Sequence, residues 1–313
     1  MEKNKILITG GCGFIGSHVV SMLANSPYKI FVLDDLSTGQ KENIPLDRVS
    51  LTVCDIRSEE AYEYIKVLQP NYVIHLAAQI DVQTSMQEQP YDADINIMGT
   101  LNVIQACKDL PNFKKFVFAS TAAVYGNNID LPLTECSTTT PTSPYGQSKL
   151  VGEQYLALVH ELYGLPYASL RFANVYGKKN HSANDVITNF WRKLVQDESP
   201  EIFGTGNQTR DFIYVEDIAR ALIEAINVFP SGIYNISTNE QTSINKVLGI
   251  MNDLLGNDVP VKRLPERPGD ILDSCLANDK FVKHTNWLPE ETIYTGLVKT
   301  IMGTNSHLKV GVK

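Results

Sequence analysis

Nowhere does this chain string together the roughly 18 apolar residues that a membrane-crossing helix needs. Its start, Met1-Glu2-Lys3-Asn4-Lys5, leads directly into a short apolar strand pattern. A secretory leader carries a longer apolar stretch behind its basic residues, so neither leader nor membrane span is expected. Basic charge is also short. Lys and Arg number 27 against 35 Asp and Glu, a net charge of −8. Broad binding to nucleic acid or to an anionic membrane is therefore not expected, and an anionic ligand would need locally placed arginines. Cysteine is sparse and odd in number: Cys12, Cys54, Cys107, Cys136 and Cys275, with no C-x-x-C pair. That fits reduced thiols in a cytoplasmic protein, without a disulfide framework, a zinc site or any other metal. Cys12 lies inside a glycine loop, where it is either oxidation-sensitive or a small space-filler. Repeats and low-complexity tracts are missing too.

What remains is an ordinary globular composition, 43% hydrophobic and 20% charged over 313 residues, long enough for a large core and a second lobe. Strand-length apolar runs alternate with helical patterns. Ile6–Thr9, Ile30–Leu33, Leu51–Val53, Tyr72–Leu76, Phe116–Ala119 and Ala168–Arg171 read as strands. Phe14–Asn25, Glu59–Leu68, Ala93–Cys107 and Gln147–Tyr163 read as helices. This order predicts an α/β fold, a Rossmann-like doubly wound parallel sheet. After Asn174 the pattern loosens and Gly, Pro, Asn and Asp increase. The expected division is a dinucleotide-binding domain over 1–174 and a smaller α/β substrate lobe over 175–313, with the chain partly returning to the first domain.

Three patterns carry chemistry. Gly10, Gly11, Gly13 and Gly16 stand between the first strand and first helix and satisfy both G-x-G-x-x-G and G-x-x-G-x-x-G. Such glycines let the backbone approach a pyrophosphate, which the helix N-terminus then stabilises. Asp34 ends the second strand 24 positions after Gly10, near the spacing of a carboxylate that holds adenosine ribose hydroxyls. A carboxylate there repels a 2′-phosphate, which favours NAD over NADP. Asp55-Ile56, after the third strand, reads either as a cover for the adenine or as a simple turn. Finally, Tyr145 and Lys149 stand four apart on a helix and share one face. A fixed ammonium favours phenolate and lowers the tyrosine pKa, giving a base usable near neutral pH. Alone, the same spacing also fits an exposed surface pair.

With these patterns in order, the chain resembles the extended short-chain dehydrogenase/reductases, and within them the NAD-dependent nucleotide-sugar epimerases of the UDP-galactose 4-epimerase type. The resemblance runs from about Lys5 to Met302. It rests on Thr9-Gly-Gly-Cys-Gly-Phe-Ile-Gly-Ser-His18, Asp34-Asp-Leu-Ser-Thr-Gly39, His75-Leu-Ala-Ala78, Asn96-Ile-Met-Gly-Thr100 and Ser120-Thr-Ala-Ala-Val-Tyr-Gly126. It continues through Ser143-Pro-Tyr-Gly-Gln-Ser-Lys149, Arg171-Phe-Ala-Asn-Val-Tyr-Gly177, Thr209-Arg-Asp-Phe-Ile-Tyr-Val215 and Arg267-Pro-Gly-Asp270.

The resemblance implies Tyr145 as catalytic base, Lys149 as the residue that binds the nicotinamide ribose and acidifies it, and the Thr121 hydroxyl as third member, with Ser120 as its fallback. It implies NAD contacts from the glycine loop (Gly10, Gly13, Phe14, Ile15, Gly16) and from Asp34, Asp35, Ser37, Thr38 and Gly39. Asp55, Ile56, Leu76, Ala77, Ala78, Asn96, Tyr145 and Lys149 complete that set. For a UDP-sugar it implies Ser120, Thr121, Asn174 and Val186 near the sugar, diphosphate and uracil, Phe203 beside the uracil, Arg210 and Arg267 on the pyrophosphate, and Asp270 on the ribose. Ser274 falls at the position beside the sugar 2-substituent, where a small residue admits an N-acetyl group. His18 and His75 read as packed structural histidines. Relatives form homodimers through two long helices, here about Ala93–Cys107 and Gln147–Tyr163.

Two departures stand out. Lys178-Lys179-Asn180 replaces the Pro-Arg-Gln of many relatives, and Ile80 stands where some carry a lysine. Related 4,6-dehydratases follow the threonine with Asp-Glu; here Ala122-Ala123 follows. This favours UDP-hexose 4-epimerisation, with a UDP-glucuronate 4-epimerase or another sugar-nucleotide epimerase or dehydratase as the alternative. Lys178 or Lys179 would then meet the uronate carboxylate. A catalytically silent NAD-sensing protein is the distant alternative; such proteins lose the tyrosine or the lysine, and this chain keeps both.

Overall fold

The computed structural model describes residues 3–180, 185–256, 259–266 and 271–304. Arg267 and Asp270 lie outside the described residues.

The first half alternates strand and helix. It runs β1 (Lys5–Thr9), α1 (Phe14–Leu23), β2 (Lys29–Asp34), β3 (Ser50–Val53), α2 (Glu59–Leu68), β4 (Tyr72–His75), α3 (Val82–Gln87), α4 (Gln89–Ala93), α5 (Thr100–Cys107), β5 (Lys115–Thr121), α6 (Pro144–Tyr163) and β6 (Tyr167–Phe172). The second half is built of shorter pieces: β7 (Asn174–Tyr176), α7 (Val186–Val195), β8 (Glu201–Phe203), β9 (Thr209–Arg210), β10 (Phe212–Tyr214), α8 (Val215–Glu224) and β11 (Gly232–Ile236). β12 (Thr242–Ser243), α9 (Ile244–Leu255), β13 (Lys262–Leu264), α10 (Asp279–His284) and α11 (Ile293–Thr304) follow.

Seven strands form one parallel sheet in the order β11-β6-β5-β4-β1-β2-β3. The Rossmann-like class read from the sequence is the class observed. β4 and β6 are buried throughout, and the run Leu7-Ile8-Thr9 of β1 is equally dry. That continuous burial is why these segments read as unbroken apolar runs, not alternating ones. Two apolar clusters cover the sheet, one including Ile6, Ile8, Val20 and Leu170, the other Leu7, Val73, Phe116 and Phe118. Successive side chains of one strand thus feed opposite faces. A third cluster, around Phe190, Tyr214 and Met251, fills the smaller lobe.

Sequence reading misses β11. It follows the whole loose stretch after Asn174, yet pairs with β6 from Gly232↔Ala168 to Ile236↔Phe172. Five residues at a sheet edge carry little periodicity, and their place is fixed by long-range pairing. The expected helix Ala93–Cys107 is also more than one regular helix. Asp94–Gly99 is a π-helical segment between α4 and α5. Local π turns often mark functional sites.

Candidate active site

The carboxyl ends of the parallel strands converge on one edge, and the order reverses between β1 and β4. Open α/β sheets bind ligands at such a crevice. Gly10 follows β1 there with φ +67, and a Cβ on it would come within 2.6 Å of the Ala77 nitrogen, on the loop after β4. Gly13 then caps α1 without a side-chain bond, which leaves backbone N–H groups of the first turn facing outward. A cradle that a side chain would fill, at the N-terminus of a ten-residue helix, fits a pyrophosphate.

Asp34 closes this cradle. Its Oδ2 accepts from the Cys12 N–H at 2.9 Å and its Oδ1 from the Leu36 N–H at 2.9 Å. Burial pushes its carboxyl up, against those two bonds. The acid therefore shapes the glycine loop. Asp35 binds both the N–H and the hydroxyl of Ser37, which fixes the turn leading through Thr38 to Gly39. Asp55 is held by Arg57, which lowers its carboxyl, and Arg57 also bridges to Asp94. Ile56 packs against Gly99 of the π segment. On the other side of the cradle, the Thr9 hydroxyl meets His75 Nδ1 at 2.7 Å and accepts from the N–H groups of Leu76 and Ala77. His75 Nε2 meets Thr100 at 3.0 Å, and burial drives its pKa down to about 3. It is a neutral packing residue. His18 likewise spends its Nε2 on the Lys178 carbonyl, at 3.2 Å.

Thr121 and Tyr145 meet. Thr121 ends β5, its Oγ1 accepts from the Ala123 N–H at 3.2 Å, and its hydroxyl lies beside the Tyr145 phenol, where it favours the ionised form. A hydroxyl can do both, accepting from the backbone while donating to a phenolate. Ser143 caps α6 by accepting from the Gly146 N–H, with Pro144 in the first turn, so Tyr145 and Lys149 rise from a well-started helix. Gly152 lets α6 lie on the Phe118 ring of β5.

Lys149 is 3% exposed, donates from Nζ to the Ala119 carbonyl at 2.9 Å, and sits 4.9 Å over the Phe118 ring. Burial lowers its pKa to about 8. The sequence reading expects this lysine to acidify Tyr145. Instead burial raises the phenol to about 12, Asp92 adds to the rise, and only the Thr121 hydroxyl opposes it. The ammonium is turned toward β5, so desolvation wins over its attraction for the phenolate.

Ser120 does not join the site. It is 3% exposed and donates to Glu153, which also takes Arg171 in a two-pronged pair with Nη2 at 2.7 Å. Neighbouring residues at the end of β5 point to opposite sides, and only Thr121 points to Tyr145. Asn96 faces inward as well: Oδ1 accepts from the Gln79 N–H at 2.9 Å, and Nδ2 reaches the Gln79 carbonyl, Asp92 and Ser148. It ties the π segment to α6. Sequence reading does not reach Asp92; its i, i+4 spacing to Asn96 is the signal that would find it.

The residues expected at the nucleotide lie on the smaller lobe. Asn174 is exposed and its N–H donates to Asp211 as β7 pairs with β10. Val186 opens α7 behind its Asp185 cap, and Phe203 is half-buried on β8. Arg210 on β9 donates to the Thr209 and Leu272 carbonyls at 2.8 and 3.3 Å. Thr209 also donates to Asp273 at 2.6 Å, which fixes the segment carrying Ser274 beside β9. Ser274 is 8% exposed.

Residues 6–237 match the pattern of the NAD dependent epimerase/dehydratase family. A relative from Methanocaldococcus jannaschii, provisionally named UDP-glucose 4-epimerase, is 40% identical over 95% of this chain and 97% of its own length. Among solved structures, a UDP-N-acetylglucosamine 4-epimerase from Methanobrevibacter ruminantium, in complex with UDP-N-acetylmuramic acid, is 36% identical with a TM-score of 0.92, covering 98% of this chain and all of its own. A UDP-glucose 4-epimerase from Thermotoga maritima with UDP-glucose is also 36% identical with a TM-score of 0.92, over 96% and 98% of the two chains. The chain belongs to the NAD dependent epimerase/dehydratase family. It is an enzyme of the extended short-chain dehydrogenase/reductase type, with NAD as its cofactor.

Proposed function

We propose that this enzyme interconverts UDP-sugars epimeric at C4 and accepts N-acetylated sugars as well as UDP-glucose and UDP-galactose. The enzyme is an isomerase of the UDP-sugar 4-epimerase class. The observation that carries the reaction type is the placement of the Thr121 hydroxyl at the end of β5 beside Tyr145 on α6, with buried Lys149 one helical turn beyond. Tyr145 takes the proton of the sugar 4-hydroxyl and later returns it. Thr121 donates to the developing phenolate. Lys149 supplies fixed positive charge and N–H donors. NAD supplies hydride acceptance and return, so no net oxidation results. Ala122 and Ala123, in a short 3₁₀ turn after Thr121, offer no acid–base pair for elimination of water. That supports epimerisation over dehydration.

Tolerance of the N-acetyl group rests on Ser274, a small buried residue on the segment anchored beside Arg210. Similarity to an enzyme that epimerises UDP-N-acetylglucosamine agrees with this reading. Incubating the purified protein with UDP-glucose, UDP-N-acetylglucosamine and UDP-glucuronate, and resolving the products, tests it. Turnover of the first two supports the proposal, and turnover of the glucuronate alone would replace it.

We further infer a cytoplasmic homodimer. No helix among the described residues is long and apolar enough to cross a membrane. α4, the π segment and α6 lie side by side, and Tyr91, Met98, Tyr155, Leu158 and Leu162 stand exposed on them. Leu150 of α6 belongs to the core and does not join this face.

A further inference from the structure

Lys149 is buried, so its ammonium needs a counter-charge. Two carboxylates act on it, Asp92 of α4 and Glu153 of α6. Glu153 is already committed: both its oxygens are taken by the Arg171 guanidinium, and Ser120 donates to one of them. Asp92 is different. It is 1% exposed, and its Oδ1 accepts from two neutral amides, Gln79 Nε2 and Asn96 Nδ2, each at 3.0 Å. It pairs with no cation among the described residues. Both of these donors are neutral, and Lys149 is the buried cation on which Asp92 acts.

A second link is geometric. Asn96 Nδ2 also reaches the Ser148 hydroxyl at 3.2 Å, and Ser148 donates to the Tyr145 carbonyl at 3.0 Å. The carboxylate thus anchors the short polar chain that seats the first turns of α6. We propose that Asp92 is a positioning residue for the catalytic pair: it is the counter-ion that holds Lys149 as an ammonium and, through Asn96 and Ser148, fixes the turn carrying Tyr145.

The inference rests on the epimerase reading for its kinetics only. The charged and titratable groups around Lys149 are Tyr145 and Glu153 on its own helix, Arg171 on β6, His75 on β4 and Asp92 on α4. His75 is neutral and Glu153 is neutralised by Arg171, so removing Asp92 removes the one unbalanced negative charge. Loss of a negative charge lowers the pKa of both lysine and tyrosine. Asp92 acts on both groups, so both values should fall.

The isosteric variant Asp92→Asn tests this in two ways. In the pH–rate profile for UDP-glucose, both limbs should move to lower pH by about one unit, while Asp92→Glu keeps the wild-type limbs. A role limited to packing would lower the whole profile without moving it, and that outcome would overturn the proposal. The second test needs no activity. In the wild-type background Asp92→Asn should lower the melting temperature of the NAD-bound protein by several degrees. In a Lys149→Met background, where Asp92 is left an unpaired buried charge, the same change should raise it. Equal losses in both backgrounds would reject the counter-ion role, whatever sugar the enzyme takes.

Discussion

Lys179 holds the carbonyl of Asn43: its Nζ donates across 3.0 Å from the smaller lobe to the loop after β2. Asn43 in turn donates to the Cys12 carbonyl at 3.1 Å, inside the glycine loop. Lys179 sits at φ +65, a conformation that a side-chain-bearing residue keeps only where its surroundings fix it. Its neighbour Lys178 lays its stem along Gly303 of α11. Lys179 thus spends its ammonium, and Lys178 its aliphatic stem, on joining segments of this chain. A uronate carboxylate would have to draw Lys179 off the Asn43 carbonyl, and a hydrogen-bonding group left without its partner costs about 1–3 kcal/mol. UDP-glucuronate turnover should accordingly fall at least roughly tenfold below that of UDP-glucose, and Lys179→Met should not change that ratio. Equal rates on the two substrates, with the glucuronate rate lost in Lys179→Met, would contradict it.

Tyr145→Phe keeps the ring and loses the proton acceptor. The rate constant kcat should fall by roughly 10²–10⁴, while the affinity for UDP-sugar measured by calorimetry changes little. Thr121→Val removes the donor to the phenolate and should cost less, because Tyr145 remains. Comparable losses in affinity for Tyr145→Phe would show that the phenol binds substrate and does not act on it.

His75 gives a pH dependence of stability. Its folded pKa, about 3, lies below the ordinary 6.5 because burial forbids the imidazolium. Between these values the unfolded chain binds a proton that the folded chain refuses, so stability falls as pH drops from 6.5 toward 3. Above 6.5 the residue contributes no slope. Denaturant unfolding of wild type across that window should show the decline, and His75→Gln should flatten part of it. An unchanged slope in the variant would assign the acid sensitivity to other groups.

Much of this was legible before the fold. The strands of the first half announce themselves because a parallel sheet buried on both faces leaves unbroken runs such as Tyr72-Val73-Ile74-His75. The glycine loop is legible because Gly10 and Gly16 stand where backbone meets backbone, and nothing larger fits. What stayed hidden depends on direction or on distant partners. That Ser120 turns to Glu153 and Thr121 to Tyr145 follows from the register of β5, one residue apart. That Lys149 faces the Ala119 carbonyl, and that Asp92 is buried near it, depends on how α4 and α6 lie together. The place of Arg210 beside residues 272–274 is a contact between segments 62 apart.

The apolar faces of α4 to α6 predict assembly. Leu158 is 47% and Leu162 61% exposed, on the side of α6 away from the core. If a second copy covers them, the pair Leu158→Glu and Leu162→Glu places charges in a dry interface, whose core is normally depleted of charge. Sedimentation should then show a dimer for wild type and a monomer for the variant at the same micromolar concentration. A wild-type monomer would remove the dimer, and an unaffected dimer would move its interface elsewhere.

The proposed tolerance of N-acetylated sugars rests on Ser274. It is nearly covered, and the segment carrying it is pinned by the Thr209–Asp273 and Arg210–Leu272 hydrogen bonds, so it has little room to retreat from a larger side chain. Ser274→Tyr should therefore fill the space that an acetamido group needs and leave a 2-hydroxyl tolerated. Overpacking of this kind costs about 1–3 kcal/mol, or roughly ten- to hundred-fold in rate or affinity. The variant should lose that much on UDP-N-acetylglucosamine and UDP-N-acetylgalactosamine while keeping most of its kcat/KM on UDP-glucose and UDP-galactose. Equal losses on both pairs would mean that the tyrosine disrupts the lobe as a whole. A wild type inactive on N-acetylated sugars would narrow the enzyme to the unsubstituted pair and assign the limit to a residue other than Ser274.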